Sequence, residues 1–135
     1  MNNFTLSNPD GLYDPTQNGF SHLGVVPAGR KLVFVAGQGG ETADAQLKPT
    51  FEGQLHQAMD NLVVALEAAG AKPADVVKLT VLIVDHDHGK LHALGAAFDR
   101  VFGNALKPTC TLIPVPRLAV DGMLFEIEGL AVLQA

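Results

Sequence analysis

The stretch VVKLTVLIV at residues 76–84 decides how this chain folds. Branched aliphatic side chains dominate it, which is typical of a β-strand. Successive side chains of a strand point to opposite faces. One face carries Val77, Leu79, Val81 and Ile83, and the other carries Val76, Leu82 and Val84. Because strands that are apolar on both faces are buried on both faces, residues 76–84 predict the centre of a sheet.

The flanking sequence predicts helices and further strands around this segment. Strands are predicted at residues 21–26, 31–36, 109–115 and 123–133. A helix is predicted over residues 51–69, with Thr50 as its N-cap and Gly70 as its stop. Apolar residues at spacings of three and four mark its buried face: Leu55, Ala58, Leu62, Leu66 and Ala69. A second helix is predicted after Asp85, its expected cap, and buries Leu91, Leu94, Phe98 and Phe102.

The order β-β-α-β-α-β-β predicts one α+β domain at residues 21–135, after a polar lead-in at residues 1–20. A mixed sheet with both helices on one face is expected. Two helices cover only one face, and the second apolar face would form a large exposed patch on a monomer. We therefore expect that face to meet other copies of the chain. The alternative is that the polar N-terminal segment folds over it.

Composition excludes several classes of protein. The chain has 135 residues, of which 47% are hydrophobic and 17% charged, so a packed core is expected rather than disorder. The net charge of -5 and the absence of a basic cluster argue against nucleic acid and membrane surfaces as partners. One cysteine, no signal-peptide pattern and no long apolar run make the cytoplasm the expected location.

Glu126 and Glu128 are the first candidates for chemistry. They alternate with Phe125 and Ile127, so both carboxylates point to one face, about 7 Å apart along the strand. Leu124, Leu130 and Val132 make that face mostly apolar, where a carboxylate is costly unless it is paired or used. One of the two would position water or accept a proton. The alternative is a salt bridge, to Arg117 or Lys78.

Three other features have a structural and a functional interpretation. Cys110 is predicted to lie near Glu126 across a hairpin, either as a nucleophile or, more in keeping with a lone cysteine, as a small buried residue. His86 and His88, in the sequence DHDH, suggest a metal site, but a capped helix start explains them without a third ligand. Gly37, Gly39 and Gly40 predict tight or left-handed backbone that lines a cleft.

Taken together, ordered segments of the chain resemble the Rid family, also called YjgF-like and endoribonuclease L-PSP. The segments that carry the resemblance are FSH at 20–22, VFVAGQ at 33–38, QAMDNL at 57–62, VVKLTV at 76–81, Pro108, Arg117-Leu118, and Gly122 through EIE at 126–128. They cover about four-fifths of the chain in the correct order.

The resemblance implies a chorismate-mutase-like α+β fold and a homotrimer whose clefts lie between subunits. Archetypal members are imine and enamine deaminases, which hydrolyse intermediates such as 2-aminoacrylate to 2-keto acids and ammonia without a metal or organic cofactor. In this chain Glu126 would position the attacking water, and Gly37 would line the cleft.

Four positions depart from the family pattern. Cys110 stands in place of the arginine that binds the substrate carboxylate, and Phe20, Ala36 and Gly95 stand in place of a tyrosine, a serine and an asparagine. Without the arginine the site loses charge-assisted hydrogen bonds of roughly 1.5–3 kcal/mol each.

We therefore expect an enzyme that deaminates or tautomerises a small, less acidic imine or enamine, rather than one specialised for 2-aminoacrylate. The alternative is a non-catalytic trimer that binds a metabolite. The acidic balance disfavours a ribonuclease or translation inhibitor.

Overall fold

The computed structural model describes residues 3–135, which form two helices and six strands. The elements are β1 (Thr5–Ser7), β2 (Leu23–Val25), β3 (Lys31–Gln38), α1 (Phe51–Ala68), β4 (Val76–Val84), α2 (His88–Phe102), β5 (Thr109–Val115) and β6 (Phe125–Leu133). This confirms the predicted α+β class. The predicted order omitted β1, which lies inside the segment that the sequence describes as a polar lead-in.

The main sheet has the strand order β3-β6-β4-β5. Strand β4 runs parallel to β5 and antiparallel to β6, which in turn runs antiparallel to β3. Residues 76–84 are therefore an interior strand, as their two apolar faces predict. Strands β1 and β2 pair only with each other and form a separate two-stranded ribbon.

Both helices pack on the same face of this sheet. Fully buried side chains of α1 meet alternate residues of β4 and β6: Leu55, Leu62 and Leu66 contact the cluster that contains Leu79, Val81, Ile83, Phe125 and Ile127. Thr50 accepts a hydrogen bond from the Gly53 amide, and Gly70 follows α1 with a φ of 78°, as expected for its cap and its stop. Within residues 3–135, neither helix has the length and apolar character needed to cross a membrane.

The start of α2 differs from the prediction. Asp87, not Asp85, is the N-cap, and its carboxylate accepts a hydrogen bond from the Lys90 amide. Asp85 instead has a φ of 53°, which makes it a turn residue between β4 and the helix.

A bulge at the start of β4 changes the predicted alternation. Val76 lies opposite Ala131 and Lys78 opposite Leu130, so Val77 is one extra residue in β4. Val76 consequently joins the helix-side core, whereas Val77 points to the opposite face. Leu79, Val81 and Ile83 keep the predicted orientation.

The second face of the sheet, here called the open face, is covered only in part. At one end, Leu118 and Met123 pack with Val84. Phe4, next to β1, packs on Val77 and Val132. The rest is exposed: Phe34 keeps 75% of its surface accessible, Leu32 46% and Ile113 43%. The N-terminal segment thus covers part of the face, as the alternative expected, and leaves a large apolar remainder.

Gly95 and Gly40 provide a stability test of this packing. A Cβ at Gly95, in the middle of α2, meets no atom within 4 Å, whereas one at Gly40 lies 2.4 Å from Gln54 Cα. We expect Gly95→Ala to raise the free energy of unfolding by about 0.5–1 kcal/mol. Gly40→Ala should lower it by roughly 1–3 kcal/mol, because backbone must move. Urea titration measures both, and equal effects would contradict the packing described.

Candidate active site

Glu126 lies on the open face with its carboxylate directly over Gly37. A Cβ built on Gly37 would be 1.8 Å from Glu126 Oε1 and 2.7 Å from Cδ, so only glycine fits there. A second bulge brings the two together: four residues of β3, from Val35 to Gln38, lie opposite three residues of β6, from Gly129 to Ile127. Bulges of this kind often re-aim side chains next to active sites.

Side chains of α1 hold the loop that follows β3. Asn61 Nδ2 donates hydrogen bonds to the carbonyls of Gly39 and Glu41, at 3.1 and 2.8 Å. The amide of Gln57 in turn donates to Asn61 Oδ1. Gln54 is buried, donates to the carbonyls of residues 48 and 122 and accepts from the amide of residue 124. These contacts fix the backbone on both sides of Glu126.

The glycines of this loop serve close approach and not left-handed geometry. None of Gly37, Gly39 and Gly40 has a positive φ. A Cβ on Gly39 would be 2.5 Å from Met123 Cε and 2.8 Å from Glu41 Oε1. The predicted tight backbone is therefore present, while the left-handed alternative was wrong.

The electrostatic environment raises the pKa of Glu126. Burial contributes most, and the negative charges of Glu128 and Glu41 add to it. The expected salt bridges to Arg117 or Lys78 do not form: across residues 3–135 no ion pair includes Glu126 or Glu128, and Arg117 pairs with Asp121 at the surface. Sequence analysis missed Glu41, because nothing in a polar loop marks a residue that folds back beside a strand.

Cys110 does not lie beside Glu126, so the predicted hairpin was wrong. Strand β4 separates β5 from β6, with Cys110 opposite Leu79 and Glu126 opposite Leu82. The two positions differ by three residues along β4 and by two strand spacings across the sheet. The Cα atoms of Cys110 and Glu126 are therefore roughly 14 Å apart. Cys110 also faces the helix-side core. Burial raises the pKa of its thiol to about 12, which disfavours the thiolate that a nucleophile needs.

The other candidate residues lie apart. Ala36 is exposed beside Gly37, whereas Gly95 lies on α2, behind the sheet as seen from Glu126. Phe20 packs edge-to-face on Tyr13 and His22 next to the start of β5.

The remaining features do not form a site within one protomer. In the DHDH segment, His86 precedes the cap of α2 and His88 is its first residue. The described chain contains no cluster of three potential metal ligands. Two clefts of about 620 and 490 Å³ lie elsewhere, and neither is lined by a candidate residue.

A comparison with protein families shows to which family the chain belongs. The model of the family described as Endoribonuclease L-PSP matches residues 14–133. The chain belongs to this family, the Rid family. The resemblance carried by the sequence segments is thereby confirmed.

Individual Rid-family relatives agree with this assignment. A RutC family protein of Pyrococcus horikoshii is 35% identical over 107 residues, which cover 74% of this chain and 78% of that protein. A 2-iminobutanoate/2-iminopropanoate deaminase of Escherichia coli is 39% identical over 80 residues, covering 58% of this chain and 61% of the enzyme. The crystal structure of the Rid-family protein YyfB of Yersinia pestis, whose function is described as unknown, superposes with a TM-score of 0.91 at 33% identity and covers 97% of this chain and 99% of that one.

Gly37→Ala tests the contact that defines the site. The added methyl group must displace the Glu126 carboxylate, because the two would be 1.8 Å apart. We expect the variant to fold, since Glu126 is a half-buried side chain that can rotate, and to lose at least about tenfold in kcat/KM or in ligand affinity, as displaced catalytic groups do. Circular dichroism and thermal unfolding serve as controls. Unchanged function would contradict the placement of the site.

Proposed function

We propose that this Rid-family chain is an enzyme that hydrolytically deaminates, or tautomerises, a small reactive imine or enamine, with Glu126 as the proton-transfer residue. The observation that carries the proposal is the Glu126 carboxylate, which has no ion-pair partner among residues 3–135, has a raised pKa and sits over Gly37 on an apolar face. An unpaired carboxylate with a raised pKa in a functional position is suited to acid–base catalysis.

The proposed chemistry needs only groups of this chain. Glu126 accepts a proton from water as the water oxygen attacks the imine carbon and the C=N electron pair moves to nitrogen. The same carboxyl group then returns this proton to nitrogen. The hydroxyl proton of the resulting carbinolamine passes to nitrogen as the C–N bond breaks, and a carbonyl compound and ammonia leave. A pKa nearer to neutrality than that of an ordinary glutamate makes both transfers easier.

The proposed site lies at a seam between subunits of a homotrimer. In one protomer, Gly37 and Glu126 are on the open face, whereas Cys110 and Gly95 are on the helix side. Gly37 and Glu126 of one protomer can therefore meet Cys110 and Gly95 only where two copies of the chain pack together. The exposed apolar remainder of the open face, including Phe34, supports such packing.

A charge on the open face tests the assembly. Phe34→Glu places a carboxylate where the interface is proposed, and Val64→Glu places one on the outer side of α1, where Val64 is 65% exposed. We expect Phe34→Glu to cost roughly 3–5 kcal/mol and to shift the chain to monomers, and Val64→Glu to have no effect. Light scattering coupled to gel filtration measures both. A monomeric wild-type chain at micromolar concentration would refute the assembly and the seam.

Glu126→Gln tests the catalytic role. The amide cannot accept a proton, so we expect kcat/KM to fall by about 10²–10⁴. In the wild type the raised pKa should move the acidic limb of the pH–rate profile above the ordinary glutamate value of about 4.3, because activity is lost as the carboxylate is protonated. The limb should vanish in the variant. Imine decay, followed with and without protein, is the assay.

Cys110 favours a second candidate function. With an apolar thiol in place of the family arginine, the chain could be a non-catalytic trimer that binds a metabolite in the same cleft. Glu126→Gln separates the two: a binding protein would show no imine turnover in the wild type and would retain ligand affinity in the variant.

A further inference from the structure

Three carboxylates surround the proposed site. Glu126 and Glu128 project from β6, and Glu41 comes from the loop after β3. Asn61 holds the Glu41 backbone, and Gly39 lets the Glu41 side chain fold back against the loop. Glu41 Oε1 is buried and has no hydrogen-bond partner, which is a costly state for a carboxylate oxygen.

None of these three carboxylates forms an ion pair within residues 3–135. The three ion pairs of residues 3–135 are Arg100–Asp60, Lys107–Asp99 and Arg117–Asp121. Lys78 lies on β4 opposite Leu130, two residues from the position opposite Glu128 and four from the position opposite Glu126, and it forms no ion pair with either carboxylate within residues 3–135. Burial and two negative charges affect the pKa of Glu126, and no positive charge offsets them. The site therefore has a net negative potential that a bound cation would relieve.

Apolar side chains complete the surroundings. Leu82 is paired with Glu126 across the sheet and packs with the cluster of Val84, Leu118 and Met123. The next strand continues the row with Ile113, which is exposed. A ligand at Glu126 thus meets negative charge on one side and an apolar surface on the other.

We infer that this site selects a cationic imine that carries no carboxylate, with Glu41 and Glu128 as specificity-determining residues. The inference rests on the proposed function and names its substrate class: an iminium ion with an apolar substituent. A substrate carboxylate would face three like charges and no arginine, whereas an iminium nitrogen is attracted by the same charges.

The reaction of such a substrate balances without a further reactant. An iminium ion, R₂C=NH₂⁺, and one water yield R₂C=O and NH₄⁺. The C–O bond forms as the C=N electron pair moves to nitrogen, and the proton that Glu126 takes from water is returned to nitrogen. The C–N bond then breaks as the carbinolamine hydroxyl becomes the carbonyl, and the hydroxyl proton passes to the departing ammonia. No electrons enter or leave, and the positive charge passes from iminium to ammonium.

Matched ligands test the charge preference without turnover. Benzylammonium and phenylacetate share an apolar ring and differ in charge, and isothermal titration of the assembled wild-type protein measures both. We expect benzylammonium to bind at least about tenfold more tightly, and Glu41→Gln to weaken it by about 2- to 10-fold. Glu67→Gln, the same change at an exposed position of α1, should leave the affinity unchanged. Preference for phenylacetate, or binding of neither at millimolar concentration, would overturn the inference.

Matched substrates separate this inference from the proposed function. One imine is made in situ from benzylamine by an amine oxidase, and 2-iminopropionate is made from alanine by an amino acid oxidase. We expect faster decay of the amine-derived imine, with Glu41→Gln raising KM more than it lowers kcat. Acceleration of 2-iminopropionate alone would overturn the substrate class and leave the deaminase proposal standing. Acceleration of neither, with benzylammonium bound, would overturn the deaminase proposal and leave the charge preference standing.

Discussion

The structure depends on one imbalance: a four-stranded sheet is apolar on both faces, but the helices cover only one. Strand β4 is buried by α1 and α2 on the side of Leu79, Val81 and Ile83. On the other side, Phe4 and the β1–β2 ribbon cover only the end near Val77. The uncovered part of the open face is where Glu126 and Gly37 lie. The exposed apolar surface and the surface that carries the candidate site are therefore the same.

The site itself depends on backbone irregularity. The bulge between Val35 and Gln38 sets Gly37 under the Glu126 carboxylate, and α1 fixes the loop that follows through Asn61 and Gln54. The carbonyls that these two side chains bind belong to residues outside the strands of the main sheet. The rigid sheet and helix thus position one carboxylate, while an irregular loop brings a second, Glu41, beside it.

Sequence reasoning succeeded where one local pattern decides the outcome. Residues 76–84 and 109–115 were bounded correctly, and Thr50 and Gly70 delimit α1, because periodicity and capping act over a few residues. It failed where contacts are long-range. Neither bulge has a sequence signal, so the orientation of Val77 was wrong. Strand β4 lies between β5 and β6 in the sheet and so separates Cys110 from Glu126. This strand order depends on long-range pairing that no local pattern indicates.

The raised pKa of Glu126 links stability to function. A carboxyl group whose pKa is higher in the folded than in the unfolded chain binds its proton more tightly when folded. Its contribution to stability is present below the unfolded pKa and is lost as the pH rises through the folded value. The fold thus tolerates Glu126 beside Glu128 and Glu41, although none of the three has an ion-pair partner within residues 3–135. Ionisable groups with perturbed pKa values cluster at functional sites. The energetic cost of placing these carboxylates together therefore supports the proposed functional role over a structural one.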